Sequence, residues 1–300
     1  MPHATVTAAA PDRRLAVRGF ACLVLGAVAM GASPIFVRLT DIGPQASAFW
    51  RTALALPFLW IWTRLENRRT ASPLSAAIWL AGLFFAGDLF FWHLSILATT
   101  VANATFLATT APIWVALGAG LVLSEKVGAR TLAGLLLCML GGATLLGESF
   151  GFAPHRLVGD IYGLATAIFF GAYMLAVRAA RRHIGAGRLA FLATAISAAC
   201  LLPVALAVDG NLLPQSAGGF AALLALALVS QVGGQGLLSV ALGILPATFS
   251  SLVIFLEAIA AAGLAWLLLG EPLGLAQLCG GVLILLGIWI ARPRGATIGP

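Results

Sequence analysis

Charge is what this chain lacks most: only 9% of its 300 residues are Asp, Glu, Lys or Arg, where a soluble domain carries about a quarter. Hydrophobic residues make up 61%, and the mean hydropathy is +1.04. So little polar surface cannot coat a water-facing globule, so most of the chain must be solvated by lipid. Cysteine is scarce too. Cys22, Cys138, Cys200 and Cys279 lie inside apolar runs and form no CxxC pair. Neither a disulfide framework nor a zinc site is indicated, and the four read as small packing residues. There is no P-loop, HExxH or GxSxG sequence, which speaks against nucleotide-driven pumping by this chain alone. No cofactor and no metal are expected. The formal charge of +7 does not point to nucleic acid, because the basic residues form short clusters between apolar runs without interleaved aromatics.

What the chain has instead is a repeat. Leu121-Val122-Leu123-Ser124-Glu125-Lys126 leads into an apolar segment punctuated by Gly134, Gly141 and Gly142, and Leu267-Leu268-Leu269-Gly270-Glu271-Pro272 leads into one with Gly280, Gly281 and Gly287. At an offset of 146, Glu125 falls on Glu271, Gly134 on Gly280 and Gly141 on Gly287. Earlier in each half, Gly31-Ala32-x4-Val37-Arg38 returns as Gly171-Ala172-x4-Val177-Arg178 at an offset of 140. A repeat of this length in a hydrophobic chain indicates a duplicated membrane bundle with a substrate path between its halves.

A hydrocarbon core of about 30 Å needs roughly 20 apolar residues per helix. Breaks at charged, Pro or Gly positions predict ten spans: 17–38, 45–64, 74–97, 100–123, 130–148, 157–180, 187–208, 217–242, 246–269 and 274–292. Pro73, Pro246 and Pro272 sit at or near predicted helix starts, where a missing N–H costs nothing. With the N-terminus inside, the cytoplasmic side receives 14 of the 17 basic residues, while Arg38 and Arg156 fall outside and Arg51 lies within the second span. That bias places both termini in the cytoplasm. Five spans per half is an odd number, so the second half enters the membrane inverted relative to the first. The expected architecture is an all-α membrane protein of ten transmembrane helices in two inverted five-helix repeats: a tail at 1–16, repeats at 17–149 and 150–292, and a tail at 293–300. The first span has an Arg-rich start and an Ala27-Val28-Ala29 triplet like a signal peptide. Cleavage there would remove the partner of the sixth span, so retention is expected.

The repeat, the ten spans and the closing motifs resemble the drug/metabolite transporter superfamily in its EamA-type branch. The most specific passage runs from Ala247-Thr248-Phe249-Ser250-Ser251 through Leu269-Gly270-Glu271-Pro272-Leu273 to Gln277, Gly280 and Gly281. Its first-half counterpart, Ala104-Thr105 through Ser124-Glu125-Lys126 to Gly134, is looser, with Lys126 standing where the second half has Pro272. Within the branch the chain looks most like YddG-type bacterial exporters of aromatic amino acids. That resemblance implies a central cavity enclosed by helices 1, 3, 4, 6, 8 and 9, a bacterial inner-membrane location and an amino-acid substrate. A single copy is expected to be the working unit.

Polar groups deep inside the spans are the candidate site residues, since each is expensive in hydrocarbon. Asp88, Trp92 and Ser95 recur at i, i+4 and i+7, which puts a carboxylate, an indole and a hydroxyl on one helical face. That suits an ammonium carried on an apolar side chain, although Asp88 could equally lock two helices together. Gln231-Val232-Gly233-Gly234-Gln235-Gly236 puts two amides four residues apart among glycines. Such a pair can donate to a carboxylate and accept from an ammonium, or act as interhelical glue. Asn103 could add another amide. Glu257 is the second deep carboxylate, and the sequence leaves open whether it is neutral, paired with Arg51 or part of a proton relay. The expected substrate-binding set is therefore Asp88, Trp92, Asn103, Gln231, Gln235 and Glu257, with Phe84, Phe85, Phe91 and Trp92 as apolar lining.

Other features read as structural. Glu125 and Glu271 each precede a helix, where an acid complements the positive dipole end. Arg51, beside Phe49 and Trp50, reads as an interfacial snorkel. Gly159, Gly163, Ala167 and Gly171 form a small-residue stripe for close helix packing, and His93 reads as a packing residue.

Two function classes compete. One is a carrier moving a small metabolite out of the cytoplasm. The other is an intramembrane hydrolase using Asp88 and Glu257. Phe85-Ala86-Gly87-Asp88 is faintly similar to the GxGD signature of intramembrane aspartyl proteases, but the first glycine and the partner Tyr-Asp element are missing. The repeat favours the carrier, and no enzymatic activity is expected.

Overall fold

The computed structural model describes residues 13–66, 75–99, 101–146, 154–269 and 274–293. Among these residues all regular structure is helical. The first half contains α1 (Arg13–Gly31), α2 (Ser33–Leu39), α3 (Pro44–Ala53), α4 (Leu56–Leu65), α5 (Ala76–Ala98), α6 (Val101–Ala108), α7 (Ala111–Gly118) and α8 (Ala129–Leu146). The second contains α9 (Leu157–Ala180), α10 (Ala186–Val208), α11 (Ala217–Ala225), α12 (Gly236–Leu242), α13 (Ala247–Val253), α14 (Leu256–Leu269) and α15 (Leu275–Ala291). A π-helical turn at Ala119–Leu123 extends α7, and a longer π-helical stretch, Leu226–Gln235, joins α11 to α12. Seven helical stretches are long and apolar enough to cross a membrane, and Ala129–Leu145 and Leu275–Ala291 are shorter apolar helices.

The expected spans 17–38, 45–64, 100–123 and 246–269 are each broken in two. Three of the breaks lie two residues before a proline: Ala32 before Pro34, Ala55 before Pro57, and Thr110 before Pro112. A proline removes one N–H and crowds the carbonyl four residues earlier, so the helix restarts there. The fourth break, at Ile254–Phe255, has no proline; it falls one residue short of the repeat position of the Thr109–Thr110 break. Of the prolines expected at helix starts, Pro246 precedes α13, while Pro73 and Pro272 lie outside the described residues.

Glycines show how the halves meet. A Cβ added to Gly134 would lie 2.5 Å from the Gly287 carbonyl oxygen, and one on Gly141 would lie 2.6 Å from that of Gly280. Because Gly134 and Gly280 are repeat mates, as are Gly141 and Gly287, each contact maps onto the other. Helices α8 and α15 therefore pack antiparallel about a local two-fold. Cys138 sits at its centre, with Sγ 3.5 Å from the carbonyl of its own mate, Ile284. The other repeated glycines behave alike. A Cβ on Gly171 would meet Trp114 Cβ, the Ala111 carbonyl and the Val115 amide, whereas one on Gly31 would meet Ala260 Cβ, the Glu257 carbonyl and the Ala261 amide. Atom for atom these are equivalent contacts at the 146 offset. In the small-residue stripe of α9, Gly159 lies against Ala98 and Gly163 against Leu107 and Ser95, as close helix packing requires.

Carboxylates close several helix starts from the opposite half. Asp209 accepts the Ala46 amide of α3 at 2.6 Å. Glu66 accepts the Ala186 and Gly187 amides of α10 at 2.8 and 2.9 Å, and Asp41 accepts the Gln215 amide just ahead of α11 at 3.1 Å. Each satisfies donors that a helix N-terminus leaves open and complements its dipole. Glu125 does the same work at an unexpected place. It accepts the Ala247 amide at the start of α13 at 3.0 Å and an ion pair from Arg178 at 3.1 Å, rather than serving α8, which follows it in sequence. Its mate Glu271 lies outside the described residues.

Candidate functional site

The helix breaks and the long π-helical stretch surround one cavity of about 80 Å³ between the halves. Its polar wall is built by Arg51, Asp88, Gln235 and Glu257, with Ser33, Thr105, Thr109 and Thr166 on neighbouring helices. Its apolar wall includes Trp92, Phe170 and Ile254. Small-molecule sites typically enclose about 300–1,000 Å³, so a substrate larger than a few atoms requires this conformer to widen.

Arg51 dominates the electrostatics and is the residue that sequence reasoning misplaced. Instead of reaching an interface it is 5% exposed, because α3 ends two residues later and turns its last coil toward the cavity. Its Nε donates to Gln231 Oε1 at 3.1 Å, and Gln231 Nε2 donates to Thr194 Oγ1 at 3.1 Å. The guanidinium lies 5.9 Å from the centroid of the Phe85 ring, a cation–π distance. It feels both Asp88 and Glu257 electrostatically, yet neither carboxylate approaches within ion-pair distance among the described residues. One cation and two acids thus face the cavity without neutralising one another by contact. The signal that could have found Arg51 is the charge balance itself, since two deep carboxylates call for a deep cation.

Gln235 is the clearest ligand-facing amide. It is 5% exposed, and its Oε1 has no hydrogen-bond partner among the described residues. The Ser33 hydroxyl at the same cavity is likewise buried and unpartnered. Buried polar atoms nearly always have partners, so two orphans at one cavity mark where a ligand or water belongs.

The structure separates several residues that the sequence grouped. Gln231 and Gln235 are put to different uses: the Gln231 amide is taken up by Arg51 and Thr194, and only Gln235 lines the cavity. Asp88 and Trp92 line the cavity, but the Ser95 hydroxyl donates to the Gly159 carbonyl at 2.8 Å. Asn103 lies outside the lining, its Nδ2 donating at 3.0 Å to Asp160, which also accepts from Thr99. Glu257 is on the wall, immediately after the α13–α14 break. Of the expected aromatic lining only Trp92 is present: Phe85 packs on Tyr173 at 4.9 Å, and Phe84 and Phe91 pack on Phe169 at 6.2 and 5.3 Å. His93 is fully buried, with Nδ1 2.6 Å from the Leu89 carbonyl.

At one end of the molecule the arginines closing α9 tie it to both halves, Arg178 to Glu125 and Arg182 to Leu123 reaching across. Besides its ion pair, Arg178 Nη1 donates to the Leu242 carbonyl, Arg181 Nε to that of Ser239 and Arg182 Nη2 to that of Leu123, at 2.8–2.9 Å.

An all-helical bundle with repeated halves, broken helices and a charged internal cavity defines a membrane transporter. The EamA-like transporter family profile matches this chain twice, over residues 17–147 and 157–292, and the chain belongs to that family. It is 26% identical over 238 residues to a Pseudopaline exporter CntI of Pseudomonas aeruginosa, covering 79% of this chain and 81% of that one. An uncharacterized transporter of Archaeoglobus fulgidus is 27% identical over 275 residues, covering 91% and 96%. A solved crystal structure with 18% identity superposes with a TM-score of 0.79 over 93% of this chain and 96% of its own, which speaks for the fold.

Proposed function

We propose that this transporter exports amino acids, aromatic and other neutral ones, from the cytoplasm by alternating access through the Arg51–Asp88–Glu257 cavity. The observation that carries the reading is the presence of one guanidinium, two carboxylates and an orphan amide oxygen around one cavity with an aromatic wall. An amino acid's carboxylate would take the planar donors of Arg51. Its ammonium would take Asp88 or Glu257 and the Gln235 oxygen, and its side chain would lie against Trp92 and Phe170. Ten spans are proposed, with α1–α2, α3–α4, α6–α7 and α13–α14 each making one broken span and α11–α12 one continuous span. Both termini are then cytoplasmic, in a bacterial inner membrane, and the halves are related by an axis in the membrane plane. A single copy suffices, because the cavity is built from one chain.

The decisive experiment is counterflow of an amino-acid panel into liposomes holding the purified chain, with Gln235→Ala in parallel. Saturable flux of large neutral amino acids, reduced strongly by Gln235→Ala at equal insertion, is expected. Flux of other metabolites but no amino acid would reject the reading.

A second reading is export of another metabolite in the same superfamily. Two acids against one guanidinium suit a substrate with more amines than carboxylates, and a relative is named as a pseudopaline exporter. The same panel, extended to amine-rich carboxylates, separates the two.

A further inference from the structure

A second cavity lies apart from the central one. A cleft of about 270 Å³ opens sideways between α1, α13–α14 and α15. Its floor is apolar and buried, formed by Ala16, Leu245, Phe249 and Ile288. Phe20 stacks on Phe249 at 6.2 Å along one wall, and Trp289 stands exposed at the rim. The charged residues at the cleft are both arginines. Arg13 opens α1, and Arg292 follows α15 with its guanidinium 5.8 Å from the Trp289 ring.

We infer that this cleft is a binding site for an anionic phospholipid, with an acyl chain along the apolar floor and the headgroup phosphate between Arg13 and Arg292. Charge complementarity chooses the occupant. No acidic residue occurs between Arg13 and Thr40, or after Glu271, while Arg14 and Arg18 add to the basic side of α1. Asp12, the acid nearest in sequence, is outnumbered by these four arginines. A zwitterionic headgroup would bring a second cation into that field, and a wholly apolar ligand would gain nothing from it. Basic pockets between helices on the cytoplasmic side are suited to anionic headgroups, and the proposed orientation puts both arginines on that side. Burying a chain in the cleft also covers floor residues from α1 and α15, the first and last helices, and so joins the two ends of the polypeptide through a lipid.

The inference rests on the proposed orientation only for the leaflet, and its test reads lipid selectivity without transport, so either idea can fail alone. The purified full chain is incubated in detergent with equal amounts of phosphatidylglycerol and phosphatidylcholine of identical acyl composition, and retained lipid is read by native mass spectrometry. The expected preference for phosphatidylglycerol is at least about fivefold, the effect of one basic residue at an anionic surface. The double variant Arg13→Gln, Arg292→Gln should bring the ratio near one. Val17→Trp, on the exposed rim, should lower retention of both lipids. Arg64→Gln, a basic residue away from the cleft, should change nothing. Equal retention of the two lipids by the unmodified chain overturns the proposal. So does loss of preference in Arg64→Gln to the same degree as in the double variant, which would mean general surface charge. Displacement of the retained lipid by a transported amino acid would make the cleft a substrate portal and also overturn it.

Discussion

At the scale of single residues, the site depends on keeping charges apart. Arg51 bonds Gln231 through Nε and lines the cavity without an ion pair to either acid among the described residues. Arg51→Lys keeps the charge but loses the planar fork, and the expected result is a KM for neutral amino acids raised about tenfold or more, checked by initial rates in liposomes. Gln231→Leu should act through Arg51 and raise KM less than Arg51→Lys does. Gln235→Ala should instead remove a contact to the substrate itself. If Gln231→Leu abolished insertion, Gln231→Glu would preserve the acceptor for Arg51 and should retain flux.

Elements decide which of these residues meet. The pattern of apolar runs made the helical class legible, and the glycines at the 146 offset were legible as repeat mates, although their meeting between α8 and α15 was not. The missed features were those that depend on partners distant in the chain. Gln231 is taken up by Arg51 and Thr194, and a break without a proline, at Ile254–Phe255, comes just before Glu257 on the cavity wall. Neither leaves a local composition signal, because both arise from packing against the other half. Asn103 was misjudged for the same reason: its partner Asp160 comes from a helix far away in sequence. The glycine contacts yield a direct test. Gly134→Leu would drive a side chain into the Gly287 backbone, and since overpacking typically costs about 1–3 kcal/mol, a lowered thermal midpoint in detergent is expected. Gly128→Leu meets open space and should be silent in the same assay.

For the whole molecule, the arginine ties gather around Leu123, Glu125, Ser239 and Leu242. Under the proposed orientation Arg178 and Arg182 are cytoplasmic, which predicts a conformer closed on that side. Cys introduced at Arg182 should be labelled by a membrane-impermeant reagent only in inside-out vesicles; strong labelling from outside would overturn the ten-span orientation. Glu125→Gln removes the ion pair and weakens the cap on α13, and is expected to increase labelling of a Cys at Ser239 from the cytoplasmic side.

The carboxylates that close helix starts across the two halves bear on how the chain can be made. Asp41, Glu66 and Glu125 finish α11, α10 and α13, while Asp209 finishes α3, so whichever half is synthesised first waits with an open helix end until the other arrives. Neither half is then a self-sufficient folding unit, but the pair needs no covalent link between them. A gene cut between Leu146 and Pro154 should give two fragments that are each degraded when expressed alone. Expressed together, they should assemble into an active transporter. Survival of the first fragment by itself, with α3 protected from proteolysis, would show that Asp209 is dispensable to it.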